Sequence, residues 1–212
     1  MSVTTIPTAG LANDAVDNTK LDLSSNYAFT GTVTGTSDLV LIETKTISSG
    51  TSNIDFTSGI GSTYDLYMWH VIDVDISTDS NFQIQVSTDG GSSFKTDSAD
   101  YDYAVRGYNS NNSFGTAVAA SDSHINCTFS GSPPDDSANH PLNLVIYMAS
   151  HANSSARCTF WGNLGYVGPS GYATGGYFCG SVRTVSFNPN AIRMKMGSGT
   201  FDSGKIKLYG VK

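Results

Sequence analysis

Apolar and polar positions alternate in two runs within residues 72–94, IDVDISTDSNFQIQVSTDGGSSF. Ile72, Val74 and Ile76 alternate with Asp73, Asp75 and Ser77; Phe82, Ile84 and Val86 alternate with Gln83, Gln85 and Ser87. A period of two places each apolar triplet on one face of a half-buried strand. Thr78-Asp79-Ser80-Asn81 supplies turn chemistry between them, because Asp, Ser and Asn bond back to nearby backbone. Asp89-Gly90-Gly91 turns the chain again, since glycine accepts positive φ without a Cβ clash. The stretch predicts two successive hairpins of antiparallel sheet, dry on one face and wet on the other.

The same reading predicts strands over 39–47, 53–56, 66–76, 82–87, 101–108, 124–130, 142–149, 157–166, 177–187, 192–196 and 205–211. Residues 66–76 are apolar on both faces around Trp69, which predicts a central strand. Asn109–Ser121 reads as a long polar loop and Gly168–Gly176 as a glycine-rich one. No stretch of helical period interrupts the series. About ten strands at intervals of roughly 8–20 residues predict an all-β fold, an antiparallel, jelly-roll-like β-sandwich over residues 39–212.

Residues 1–38 differ from this. They hold one lysine (Lys20), Tyr27, Phe29 and no tryptophan, and Leu11, Val16 and Leu21 are too sparse for a private core. A helix over 14–23 would be marginal on its own. Such an extended arm is expected to order only against a partner. Ala28, Phe29, Gly31, Val33 and Gly35 alternate small and apolar residues with no partner strand in their own segment. Phe29 and Val33, with Leu11, Val16 and Leu21, are therefore expected at an assembly interface.

The segment 6–21, IPTAGLANDAVDNTKL, resembles a connector of bacteriophage tail-fibre and virion-surface proteins that recurs as variations on I-x-x-A-V-D-x-T-K-L. Residues 27–35, YAFTGTVTG, resemble phage fibre segments, and 204–211, GKIKLYGV, resemble the final strand of many phage virion β-sandwiches. The matches cover about a sixth of the chain. The resemblance implies a trimeric β-structured head behind an anchoring arm.

Composition narrows the picture. Among 212 residues, charged ones make up only 14%, while 10 Phe, 11 Tyr and 2 Trp suffice to fill a core. A net charge of −7 argues against nucleic acid, which asks for clustered Lys and Arg. Five of the 11 basic residues (Arg193, Lys195, Lys205, Lys207, Lys212) fall in the last twenty positions, where they read as solvent-side guards of strand edges. No basic and apolar leader opens the chain, and no run reaches membrane-spanning length. Cys127, Cys158 and Cys179 have no zinc spacing and read as small buried hydrophobes. The sequons at Asn111, Asn126 and Asn153 read as chance in a chain rich in Asn and Ser.

Few constellations carry chemistry. Ser87–Phe94 fits the Asp-box pattern S-x-D-x-G-x-x-W/F of sialidase-like propellers, but one copy without a propeller repeat reads as a stabilised turn. Asp73, Asp75, Asp79, Asp89, Asp97, Asp100 and Asp102 crowd one region; polar strand faces and turns account for them without calcium. His70, His124, His140 and His151 share no metal or catalytic spacing, and His70, beside Trp69, reads as a core residue. No nucleophile elbow or phosphate loop is present, so neither cofactor nor metal is expected. Tyr101 and Tyr103 read as strand tyrosines in an intersubunit seam. Tyr108 and Tyr172 are the candidates for stacking on sugars.

The expectation is a non-enzymatic bacteriophage virion structural protein: a short tail fibre or spike head, homotrimeric, joined to other virion proteins by its arm and touching host polysaccharide. A capsid decoration (cement) protein is the alternative, and a free lectin or glycan-active enzyme the second.

Overall fold

The structure is a computed structural model, and it describes residues 38–149, 152–153 and 155–212. The arm and its expected interface residues (Leu11, Val16, Leu21, Phe29, Val33) lie outside the described residues, as does His151.

The chain forms two antiparallel sheets packed as a sandwich. Its strands are β1 (Leu39–Thr46), β2 (Asn53–Phe56), β3 (Leu66–Ile76), β4 (Phe82–Ser87), β5 (Tyr101–Asn109), β6 (Phe114–Asp122), β7 (Ile125–Asn126), β8 (Leu142–Ala149), β9 (Thr159–Val167), β10 (Ala173–Val182), β11 (Ala191–Met196) and β12 (Phe201–Val211). Eight strands run in the order β1-β12-β3-β8-β9-β10-β5-β6; the other four run β2-β11-β4-β7. Tyr67, Trp69, Phe160, Phe178 and Phe201 from the large sheet and Phe56, Phe82, Ile84 and Val86 from the small one are fully or almost fully buried. Phe56 meets Trp69 edge-on at 6.2 Å and Phe82 meets Phe201 at 6.0 Å, the T-shaped contact that ring quadrupoles favour. Each such ring contributes about 1.5–3 kcal/mol of transfer free energy.

The stretch 72–94 is not a pair of hairpins. β3 and β4 belong to different sheets, so Thr78–Asn81 crosses the sandwich. Within β3 a bulge also turns Ile72 away from the face of Val74 and Ile76. Pairing of β3 with β8 shifts between Val71 and Val74, and Asp73 has φ +48°. Buried positions switch phase there, from Tyr67, Trp69 and Val71 to Val74 and Ile76, leaving Ile72 half-buried on the outer face. His70 also stands half-buried on the outer face instead of in the core. β4 has no wet face, because Gln83, Gln85 and Ser87 are buried too.

Other expectations change as well. Residues 109–121 are not one loop; β6 pairs with β5 across a short turn. β7 has only two residues, shorter than the strand that the pattern predicts over 124–130. β10 starts at Ala173, inside the expected glycine loop. A Cβ on Gly176 would stand 2.2 Å from the carbonyl oxygen of Arg106, so glycine is what lets β10 and β5 approach. Arg193, Lys195, Lys205 and Lys207 lie on β11 and β12, inner strands rather than edges. Arg193 forms a bidentate pair with Asp55 (both N···O distances 2.8 Å) and lays its guanidinium over Phe94, 4.0 Å from the ring centre.

Tyr101 is fully buried between the sheets instead of lining a seam, and Tyr103 bonds to Asn126 and stacks on His124. Cys127 and Cys158 are buried as expected; Cys179 is exposed on the outer face.

One line of register crosses the whole large sheet on that outer face. Leu41 lies opposite Tyr209, which lies opposite Met68. Met68 faces Tyr147, and Tyr147 faces Trp161. Cys179, Ala104 and Val118 continue the line to the far edge. None of these side chains is charged.

Candidate ligand-binding cleft

Tyr108 and Tyr172, far apart in sequence, line one cleft with a volume of about 340 Å3. Three segments build it. The first is the β5–β6 hairpin. Its turn forms because the Asn109 side-chain oxygen accepts the N–H groups of Asn111 (3.1 Å) and Ser113 (3.2 Å), with Asn112 at φ +59°. That turn sets Tyr108 and Phe114 opposite each other as register partners.

The second segment is the β9–β10 connection. Gly171 takes φ +75°, its N–H donates to Gly168 O (2.8 Å), and Gly168 N–H donates to Tyr172 O (3.1 Å). This tight turn brings Tyr172 to the cleft.

The third segment, 129–132, forms the floor and one wall. The buried Tyr166 hydroxyl pins it, accepting from Phe129 N–H (3.2 Å) and donating to Ser132 O (2.7 Å). Burial raises the Tyr166 phenol above its ordinary pKa, so the O–H stays a donor. Gly107 and Gly115 pair over the Phe129 ring, where an added Cβ would stand 2.5 and 3.1 Å from ring atoms respectively.

The rim is open and aromatic: Phe114 is 86% exposed, Tyr108 63% and Tyr172 39%. Between the rings stand Asn109, Asn111, Ser113, Thr116, Ser132, Ser170 and Thr174. Among the described residues the lining holds amides, hydroxyls and rings, with no carboxylate or imidazole. Such a surface can stack on the apolar face of a sugar and bond to its hydroxyls.

Phe114 escaped the sequence reading because its strand is made of small residues. The available signal was two aromatic residues flanking an Asn/Ser turn, followed by an alternation of Phe114, Thr116 and Val118.

The acidic residues have local duties. In the Asp box, Asp89 accepts from Ser87 Oγ (2.6 Å), Ser93 N–H (2.9 Å) and Ser93 Oγ (2.5 Å), which hold its carboxyl well below the ordinary pKa. Asp100 pairs with Lys95 at 2.5 Å and caps Asp97 N–H. Asp102 holds Ser181 and Arg157, and Asp75 accepts from Ser203. Asp79, Asp135 and Asp136 bring carboxylate oxygens within 4.8 Å of one another. There Asp79 accepts Asp136 N–H, and Asp135 accepts from Ser137 N–H and pairs with His140. Burial alone would raise the Asp135 pKa; the bonds from Ser137 and His140 outweigh it and lower it.

Comparison of the chain with models of known protein families, with curated proteins and with solved structures finds no match.

Proposed function

We propose that this protein is the head of a bacteriophage tail fibre or spike, a non-enzymatic virion component that binds host-surface polysaccharide between Tyr108, Phe114 and Tyr172. The observation that carries the reading is the convergence of these three exposed rings on one cleft edged with amides and hydroxyls. Enzymatic glycoside cleavage uses a pair of carboxyl groups flanking the bond. On this reading the cleft, lined among the described residues by amides, hydroxyls and rings, binds the sugar without cleaving it. On this reading the chain is a homotrimer, and residues 1–38 join it to other virion proteins, as the resemblance of that segment implies.

Titration of the protein with host capsular or lipopolysaccharide fragments tests the proposal. Stacking on one ring is worth on the order of 1 kcal/mol, so Tyr108→Ala with Tyr172→Ala should weaken binding about tenfold or more. The melting temperature should barely move, because both rings are substantially exposed. Unchanged affinity would overturn the glycan reading and favour the capsid decoration role.

A further inference from the structure

We infer that the polysaccharide held at the cleft is anionic and that Arg106 pairs with its carboxylate or phosphate groups; this rests on the glycan reading and adds the charge of the ligand to it. Arg106 stands on β5 two residues before Tyr108, so both exposed side chains leave the same outer face of the large sheet. Register completes a patch there. Thr116, Arg106 and Tyr177 lie opposite one another on β6, β5 and β10, and Phe114, Tyr108 and Gly175 form the next row. Strands about 4.8 Å apart and rows about 6.7 Å apart set Arg106 among three aromatic rings. Tyr177, like the other two, is more than half exposed.

Arg106, Tyr108, Phe114 and Tyr177 surround a hollow of about 340 Å3 on this face. Tyr108, Phe114, Gly115 and Thr116 line both the hollow and the cleft, so one bound chain can pass over the rim from the cleft to Arg106. A Cβ on Gly175 would meet nothing closer than 3.9 Å, so packing does not demand glycine there; its bare backbone keeps the surface beside Tyr108 open.

Arg106 differs from the other three arginines in having no partner inside the protein. Arg157 pairs with Asp102, Arg193 pairs with Asp55, and Arg183 donates to Ser121. Among the described residues the Arg106 side chain has no hydrogen bond, ion pair or ring contact. Asp102, on the same face of β5, lies four residues along the strand, about 13 Å away, and is occupied by Arg157 and Ser181. The guanidinium therefore presents its whole fork of N–H donors, which matches a carboxylate or a phosphate. Stacking on sugars asks only for rings; a cation among the rings selects for negative charge. The selection is sharpened by the net charge of −7, which repels an anionic polymer from the molecule as a whole.

The test is an array of bacterial surface polysaccharides of known structure, with neutral, uronic-acid-bearing and phosphate-bearing members, probed with the full chain and with Arg106→Gln. Wild-type binding should fall on anionic members and weaken as sodium chloride is raised. Comparing members that carry only uronic acid with those that carry only phosphate tells which group the arginine takes. Arg106→Gln should weaken binding about tenfold or more, because charge-assisted bonds to the ligand are lost. Its melting temperature should stay unchanged, because no bond within the protein is lost. Arg106→Lys should recover only part of the affinity, since a point charge lacks the fork. Neutral members bound as tightly as anionic ones, or Arg106→Gln binding like the wild type, would overturn the inference and leave the glycan reading standing. An array on which no member is bound would overturn both.

Discussion

The hydroxyl of Tyr101, on the large sheet, accepts the backbone N–H of Val86, on the small one, at 2.9 Å. The same hydroxyl donates to Lys95 O at 3.1 Å, and burial keeps it neutral by raising its pKa. The bond completes an edge that β7 is too short to cover. At the other end of β4, Thr128 Oγ accepts Phe82 N–H at 3.0 Å in the same way. Side chains thus stand in for the missing strand.

Tyr101→Phe leaves the Val86 amide buried without its partner. The expected loss is about 1–3 kcal/mol. In urea denaturation the midpoint should fall with an unchanged slope.

Gly107→Ala should cost about 1–3 kcal/mol, because the new methyl would stand 2.2 Å from Gly175 O and 2.5 Å from the Phe129 ring. Gly165→Ala is the control. Nothing lies within 4 Å of its added Cβ, so its effect should stay within about 0.5 kcal/mol. Melting temperatures of the two variants make the comparison.

Asp89 should make the Asp-box turn acid-sensitive. Its folded pKa is depressed, so the unfolded chain binds the proton more tightly. The stabilising contribution is complete above the unfolded value of about 3.9 and is lost as the pH falls toward the folded value. Asp89→Asn should melt below the wild type at pH 7, and the gap should narrow as the pH drops below about 4.

Arg193→Lys keeps the charge but loses both the bidentate grip on Asp55 and the stacking over Phe94. The expected cost is about 1 kcal/mol. A double-mutant cycle with Phe94→Ala should show coupling to arginine and little to lysine.

Strand existence was legible in the sequence wherever aromatic and β-branched residues alternate, as in 82–87 and 142–149. What failed was assignment across a bulge and in small-residue strands. At Asp73 one extra residue reverses the inward phase, and alternation alone cannot show that the chain changes sheets over Thr78–Asn81. β6 reads as polar because Gly115, Ala117 and Ala119 are small; that Gly115 lies over Phe129 is a long-range fact. For the cleft, Tyr108 and Tyr172 were legible as candidates, but their convergence and the role of Phe114 follow from a hairpin that the sequence reading took for a loop. The outer apolar line was hidden for a related reason: its members come from eight separate strands, and only register aligns them.

The placement of β1 has a mechanical consequence. Leu39 pairs with Val211, so the described body begins at one end of the large sheet, while Tyr108 and Phe114 lie toward the other end on the far edge. A pull between Asp38 and a ligand held in the cleft drags β1 along its own axis past β12. The seven register pairs that join them are then loaded together in shear, not peeled open one after another. A chain held at residue 38 and at the cleft should therefore resist extension far better than one pulled apart at Asp38 and Lys212, which lie side by side.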